Sequence, residues 1–286
     1  MRALIFLVLI VSFATANAEN DVDTLKRIAE TGAFRIGYVP DAPPLSFRDN
    51  DDNVVGYSID LCRRIASAAR DELGLEQVAI IFTPLIKMED RLSAVENGDV
   101  DIECGATTVT LSRRERVDFT LMTFITGSAV LSRKSKPIDG IDGLDGAKIA
   151  VLRGTTTEDV IRSVNEVNSF NIKLKLISSH DEGMELLNAG KVSGYASDRA
   201  MLIGQVFRNA NAVNEYTLTR SVLSFEPYAL MIPRGDTRFR LVADKALASL
   251  YRGVGIRRLY HNWFGRYGEP LSPVVEAMYE FQAVGE

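Results

Sequence analysis

Apolar residues recur along this chain in two alternating rhythms. RIGYV (35–39), AIIFTP (79–84) and DVDIEC (99–104) are short runs of strand character, separated by YSIDLCRRIASAARDEL (57–73) and MEDRLSAVENG (88–98). In the first of these intervening segments Ile59, Cys62, Ile65 and Ala69 fall at the three-to-four-residue spacing of one helix face. The second closes on Gly98, a residue suited to the left-handed position that ends a helix. The same order returns later as KIAVL (148–152), TTEDVIRSVNEV (156–167), IKLKLI (172–177), DEGMELLNAG (181–190) and VSGYAS (192–197). Strands alternating with helices predict largely parallel sheets. The repetition predicts two α/β lobes of similar design. LSAVENGDVDIECGATT and MELLNAGKVSGYASDRA both read helix, glycine stop, strand, polar loop.

TGSAVLSRKSK (126–136) is placed to carry the chain from the first lobe to the second, and EPYALMIPRGD (226–236) to bring it back. The crossings are expected near Val130–Lys134 and Tyr228–Ile232. The C-terminal segments DTRFRLVADKALASLY and GIRRLYHNWFGRY then rejoin the first lobe. On this plan lobe 1 comprises residues 19–129 and 229–286, and lobe 2 residues 130–228. Residues 1–18 read as a secretory signal peptide. Arg2 precedes an apolar run from Leu4 to Phe13, and Ala16-Asn17-Ala18 is a small-x-small cleavage site.

Composition narrows the partners. The 33 Lys and Arg against 38 Asp and Glu leave a formal net charge of −5, which speaks against a nucleic-acid partner. No later segment has the length and apolarity of a membrane span. Export and a missing second span suggest a periplasmic location. Cys62 and Cys104 can be a disulfide, which an oxidising compartment permits, or two buried thiols; spacing does not decide, and the thiols are the preferred reading. Two Cys and two His at these spacings make no zinc signature, so neither metal nor cofactor is expected.

The candidate chemistry gathers at 104-CGATTVTLSRRERVDFT-120. Ser112 and Glu115 match a capping box and predict a short helix from about Arg113, directly after a threonine-rich loop. Backbone N–H groups at such an end attract an anion. The Arg113 fork can take a carboxylate through two parallel hydrogen bonds, with Thr108 and Thr110 as hydroxyl donors. A solvated basic helix end with ordinary turn threonines reads locally as well. Position favours the site, because ligands of open α/β sheets bind beyond the carboxyl ends of the strands. VPDAPP, GATT, RGTTT and SDRA all occupy that place. The last supplies Asp198, able to hold an ammonium or to cap a helix, or both. An anion site on one lobe facing a cation site on the other describes a trap for an α-amino acid.

GYSID, NGDVDIECGATT with the following Arg113 and VDF, RGTTTE, the Asp198 loop, EPYALMIPRGD and NWFG occur here in order. On these segments nearly the whole exported chain resembles the family 3 extracellular solute-binding proteins of polar amino-acid ABC importers. The nearest branch is that of the glutamate/aspartate binders. The resemblance implies a type II periplasmic-binding-protein fold, two α/β lobes joined by two crossing strands. It implies a monomer without catalysis, which closes about a hinge on a small amino acid and delivers it to a membrane permease. It assigns the ligand α-carboxylate to Thr108 and Arg113 with Thr155 or Thr156, and the α-amino group to Asp198. Arg91 and His180 stand where acidic-ligand binders contact the side-chain carboxylate. Val39, Met88 and Leu152 would line that end, where the compared branch is polar or charged, so broad selectivity for polar or acidic amino acids is expected. Without the family, Arg91 could simply pair with Glu89 or Asp90, and His180 could be only the first residue of a helix. The alternative function on this fold is an enzyme resembling periplasmic cyclohexadienyl dehydratases, which need a general acid. Glu103, Glu158 and Glu226 are the candidates.

Overall fold

The computed structural model describes residues 23–208 and 214–285. Residues 1–18, read above as a signal peptide, lie outside the described residues. The chain opens with α1 (Thr24–Thr31), β1 (Ala33–Tyr38) and the short strands β2 (Asp41–Ala42), β3 (Ser46–Arg48) and β4 (Val54–Val55). It continues through α2 (Tyr57–Glu72), β5 (Ala79–Pro84), α3 (Met88–Glu96), β6 (Ile102–Glu103), α4 (Leu111–Arg114) and β7 (Val117–Thr126). A second run holds β8 (Ser128–Arg133), β9 (Lys148–Leu152), α5 (Thr156–Val167), β10 (Lys173–Ile177), α6 (His180–Asn188), β11 (Gly194–Asp198), α7 (Arg199–Arg208) and β12 (Tyr216–Leu218). Then follow β13 (Glu226–Pro233), α8 (Thr237–Arg252), α9 (Gly255–Trp263) and α10 (Pro273–Gln282).

The two main sheets are built alike, as the repeated pattern requires. The first has the order β5-β1-β6-β13-β7 and the second β10-β9-β11-β8-β12. Each sets three parallel strands beside an antiparallel return. Each carries apolar clusters on both faces, which is why its strands read as apolar runs. α8 and α10 pack against β7, and α8 against α2, so the C-terminal helices complete the first body.

The chain changes sheets elsewhere than the pattern suggests. Thr126 still pairs with Glu226 in the first sheet, while Ser128 pairs with Asp198 in the second, so the outward passage is at Gly127. Residues 130–133, expected in a crossing, lie in β8, and Tyr228–Ile232 lie in β13 of the first sheet. A Cβ on Gly127 would stand 2.3 Å from Ser224 O, so the two passages touch there. Two further differences are local. The expected strand 99–104 shrinks to Ile102–Glu103, because the Asp101 carboxylate takes Arg35 N–H at 2.6 Å and the guanidinium of Arg35 at 3.0 Å. The expected capping box at Ser112 and Glu115 is not formed: Thr110 caps α4, accepting Arg113 N–H at 3.2 Å, and Glu115 already closes the single turn.

Cys62 and Cys104 form a disulfide, Cα–Cα 6.4 Å, in place of the two thiols preferred above. The helix stripe puts Cys62 inward on α2, directly against the end of β6. That places the bond at the root of the threonine-rich loop.

Candidate functional site

The loop after β6 is shaped from below. Gly105 admits no side chain, since a Cβ would lie 2.1 Å from Glu103 Oε1, 2.9 Å from Val39 and 3.1 Å from Arg91 Nη1. Thr107 donates to Glu103 at 2.9 Å. Thr108 donates to Glu226 Oε2 at 2.8 Å, at the head of β13. Arg113 is buried, with Nη1 on Thr108 O at 2.7 Å and Nη2 3.5 Å from Gly154 O in the second body. Burial draws its pKa down to about 10, nearby Arg91 adding to the effect and Glu103, Glu226 and Asp198 opposing it. It remains a cation at neutral pH and is poorly hydrated.

The second body supplies the other half. Thr155 caps α5, accepting Glu158 N–H at 3.3 Å and donating to Leu152 O at 2.7 Å. The first amides of α5 have no carbonyl partner within the helix. Thr156 points across the cleft and donates to Glu226 Oε2 at 2.7 Å. Thr157 and Ser128 hold Asp198 Oδ1 at 3.3 and 3.4 Å, and the Tyr228 hydroxyl donates to Oδ2. Burial pushes the Asp198 carboxyl up to about 6, and the neighbouring Glu226 charge adds to this against the pull of the three hydroxyls. A buried cation and a half-buried carboxylate therefore face the same space from opposite sheets. Each is held in place by neutral partners, and each gains from an opposite charge.

The space is a chamber lined by Met88, Arg91, Thr108, Arg113, Leu152, Thr155, Thr156, His180 and Asp198, with Ala42, Ala106, Thr157, Ser197 and Met201. Of the residues expected at the site, Val39 and Thr110 do not line it: Val39 packs behind, beside Gly105 and Arg91, and Thr110, expected as a hydroxyl donor, caps α4 and lines the neighbouring groove. The chamber measures about 30 Å³, the scale of a single water. Beside Met88, Leu152, Arg113 and Thr156 lies a groove of about 720 Å³ that shares these four residues. An amino acid enters this chamber only if its walls part.

At the far end the charges are internally matched. Arg91 is buried and pairs with buried Glu103 at 3.4 Å, while Nη2 lies 3.5 Å from Met88 Sδ. Neither Glu89 nor Asp90 takes it; Glu89 instead receives Arg116. His180 is the first residue of α6, capped by Ser179, and also lines the chamber. Its Nδ1 bonds the Tyr195 hydroxyl. Burial lowers its pKa, with Arg91 and Arg208 assisting and Asp41 and Asp181 opposing, so the ring is neutral near pH 7.

Sequence reasoning did not place Glu226 at the centre of the site. Four hydroxyls converge on it: Thr108, Thr156, Ser224 at 2.5 Å and Ser128 at 3.5 Å. The signal was the Glu-Pro-Tyr opening of the return strand, an acid at a sheet-to-sheet passage.

This fold, two similar α/β sheets with a polar cleft between them, together with the facing charges, defines a two-lobed receptor for a small zwitterion. Residues 34–266 match the bacterial extracellular solute-binding proteins, family 3, and the chain belongs to that family. It is 30% identical over 257 residues to the L-glutamate/L-aspartate-binding protein of Pseudomonas aeruginosa, covering 90% of this chain and 83% of that one. It is 27% identical to the glutamate/aspartate import solute-binding protein of Salmonella typhimurium, covering 90% and 86%. Among solved structures it is similar to an ancestral arginine-binding protein bound to glutamine, with TM-score 0.72, 27% identity, and 82% and 98% of the two chains covered.

Proposed function

We propose that this protein is the periplasmic solute-binding component of an amino-acid ABC importer. It captures an L-amino acid with a polar or acidic side chain between its two lobes and presents the closed form, as a monomer, to a membrane permease. The lobes meet at Gly127 and the segment before β13. The observation that carries this reading is Arg113 on one lobe facing Asp198 on the other, around a chamber that includes Thr108, Thr155 and Thr156. The α-carboxylate takes the Arg113 fork, the Thr108 hydroxyl and the free amides of α5. The ammonium takes Asp198, with Glu226 behind it. Only an approach of the two lobes satisfies both ends at once, so ligand contacts differ between open and closed forms, as a population shift requires.

The side chain of the ligand runs towards Arg91 and His180. With Arg91 already matched by Glu103, and Met88 and Leu152 apolar, this end does not demand a full negative charge. The names of the relatives support glutamate and aspartate as first ligands to try. The test is to unfold and refold the protein, then to measure thermal shifts against the amino acids and small dicarboxylates. Binding to the folded state alone raises apparent stability by mass action. A shift with at least one polar or acidic amino acid is expected; no shift with any would overturn the reading. A dehydratase needs a carboxylic acid free to protonate a leaving hydroxyl. Glu103 is tied to Arg91, Glu158 to Arg162 and Gly154 N, and Glu226 to the hydroxyls of Thr108, Thr156 and Ser224. We therefore expect no turnover of prephenate or arogenate.

A further inference from the structure

Asp41 stands outside the amino-acid clamp, yet its side chain contacts the opposite lobe. It lies on β2 and is 6% exposed. Its Oδ2 accepts His180 N–H at 2.7 Å and Asp181 N–H at 3.4 Å. These are the first amides of α6, which have no acceptor within the helix and where the helix dipole favours an anion. Its backbone carbonyl accepts Gln205 Nε2 of α7 at 2.6 Å. Gly204 allows α7 to lie this close, since a Cβ there would fall 2.1 Å from Pro43 O. Nothing in this contact uses Arg113, Thr108, Thr156 or Asp198.

We propose that Asp41 is an inter-lobe latch: it holds a fraction of the protein closed before any ligand arrives, and it positions His180 at the side-chain end of the chamber. The inference rests on the reading that the lobes open and close around an amino acid, but its subject is the ligand-free protein. The chemistry makes the latch deliberately weak. Asp41 Oδ1 is buried with no hydrogen-bond partner, and Asp181, the nearest charged residue on α6, has its own cation in Arg208 at 2.7 Å. The Asp41 carboxylate thus exchanges hydration for two amide donors and half a helix dipole. That exchange leaves a small net gain, roughly tenfold in the closed population and at the low end for hydrogen bonds to a charged group, whereas a full ion pair would favour the shut form more strongly. A latch of this strength leaves both forms populated. The apparent affinity is then the affinity of the closed form scaled by its population. Asp41 acts through His180 and through that population, so it is a positioning residue.

The test places spin labels on the lobes through Asp90→Cys on α3 and Asp159→Cys on α5, both exposed, in the refolded full chain. Pulsed distance measurements without ligand should show a short-distance population. Asp41→Ala should deplete it roughly tenfold, the scale of a lost hydrogen bond to a charged group. Asp41→Asn, which keeps the volume and one acceptor oxygen but not the charge, should deplete it less. Saturating L-glutamate, the probe ligand, should restore the short distance in each variant, with affinity weakened by the factor by which the population fell. An unchanged ligand-free distribution in Asp41→Ala, or no short-distance population in the unsubstituted protein, overturns the latch. Failure of L-glutamate to bind the unsubstituted protein counts against the ligand reading, while the ligand-free distances still decide the latch. Should Asp41→Ala not fold, Asp41→Asn and Gln205→Leu carry the same comparison.

Discussion

The hydroxyls of Thr108 and Thr156 approach to 3.4 Å, one from each sheet, and both donate to the same oxygen of Glu226. The lobes are thus stitched at the point where the ligand carboxylate is expected, by groups that can turn to it. A carboxylate arriving between them replaces hydroxyl-to-carboxylate bonds with bonds of the same kind and adds the Arg113 fork. Closure with ligand therefore costs little in broken contacts.

Arg113→Lys is expected to weaken amino-acid binding, because a point ammonium cannot reproduce two parallel bonds. Arg113→Ala should cost more, about 2–3 kcal/mol, the scale of a hydrogen bond to a charged group. Calorimetry against the amino acid with the largest thermal shift measures both. Equal affinity in Arg113→Ala would remove this residue from the site.

The acid limb of binding should report Asp198. Its folded pKa, pushed up to about 6, lies above the ordinary carboxylate value. The ligand-free protein therefore takes up this proton before the unfolded chain does. From this group alone, the ligand-free fold gains stability as pH falls from about 6 towards 4 and loses it as pH rises through that window. An ammonium needs the ionised form, so affinity should be full above pH 6 and fall by up to tenfold per unit below it. Titrations from pH 7.5 to 4.5 test this. Asp198→Asn should bind weakly throughout and lack that limb.

Glu226→Gln separates the two acids. The Glu226 charge adds to the upward push on Asp198, so removing it should move the midpoint of the pH dependence to lower pH. The amide can still accept from Thr108 and Thr156, so the fold should remain. A midpoint that stays near 6 would show that burial alone sets the Asp198 pKa.

Selectivity should respond to Glu103. Glu103→Gln leaves Arg91 without its counter-charge, so acidic amino acids should gain over their amides, by about 1–2 kcal/mol in relative affinity. The fold should lose stability, because one partner of a buried pair has gone. Competition between glutamate and glutamine in the two proteins reads the ratio. In the unsubstituted protein at least two side-chain classes should bind with similar affinity.

The disulfide closes a span of 42 residues between α2 and the site loop. The double substitution Cys62→Ser, Cys104→Ser should lower stability by at most about 4 kcal/mol on the chain-entropy estimate. Denaturant unfolding measures it, and ligand affinity should fall with the order of the loop that carries Thr108.

Periodicity and punctuation along the chain were enough to place the strands at 79–84 and 148–152, the helix at 156–167, and the assembly into two similar α/β bodies. These elements rest on local propensity and on burial of both sheet faces, which adjacent residues encode. The facing of Arg113 and Asp198 also followed, because loops at the carboxyl ends of parallel strands must share one edge. The matching of Arg91 with Glu103 in place of its helix neighbours was decided only in three dimensions. So were the closing of Cys62 on Cys104, the gathering of four hydroxyls on Glu226, and the hold of Asp41 on α6. Each joins groups from different elements, and a single buried charge selects its partner by distance and desolvation across the fold, which no local pattern records. The place where the chain changes sheets, at Gly127, was decided in the same way, by close packing against Ser224.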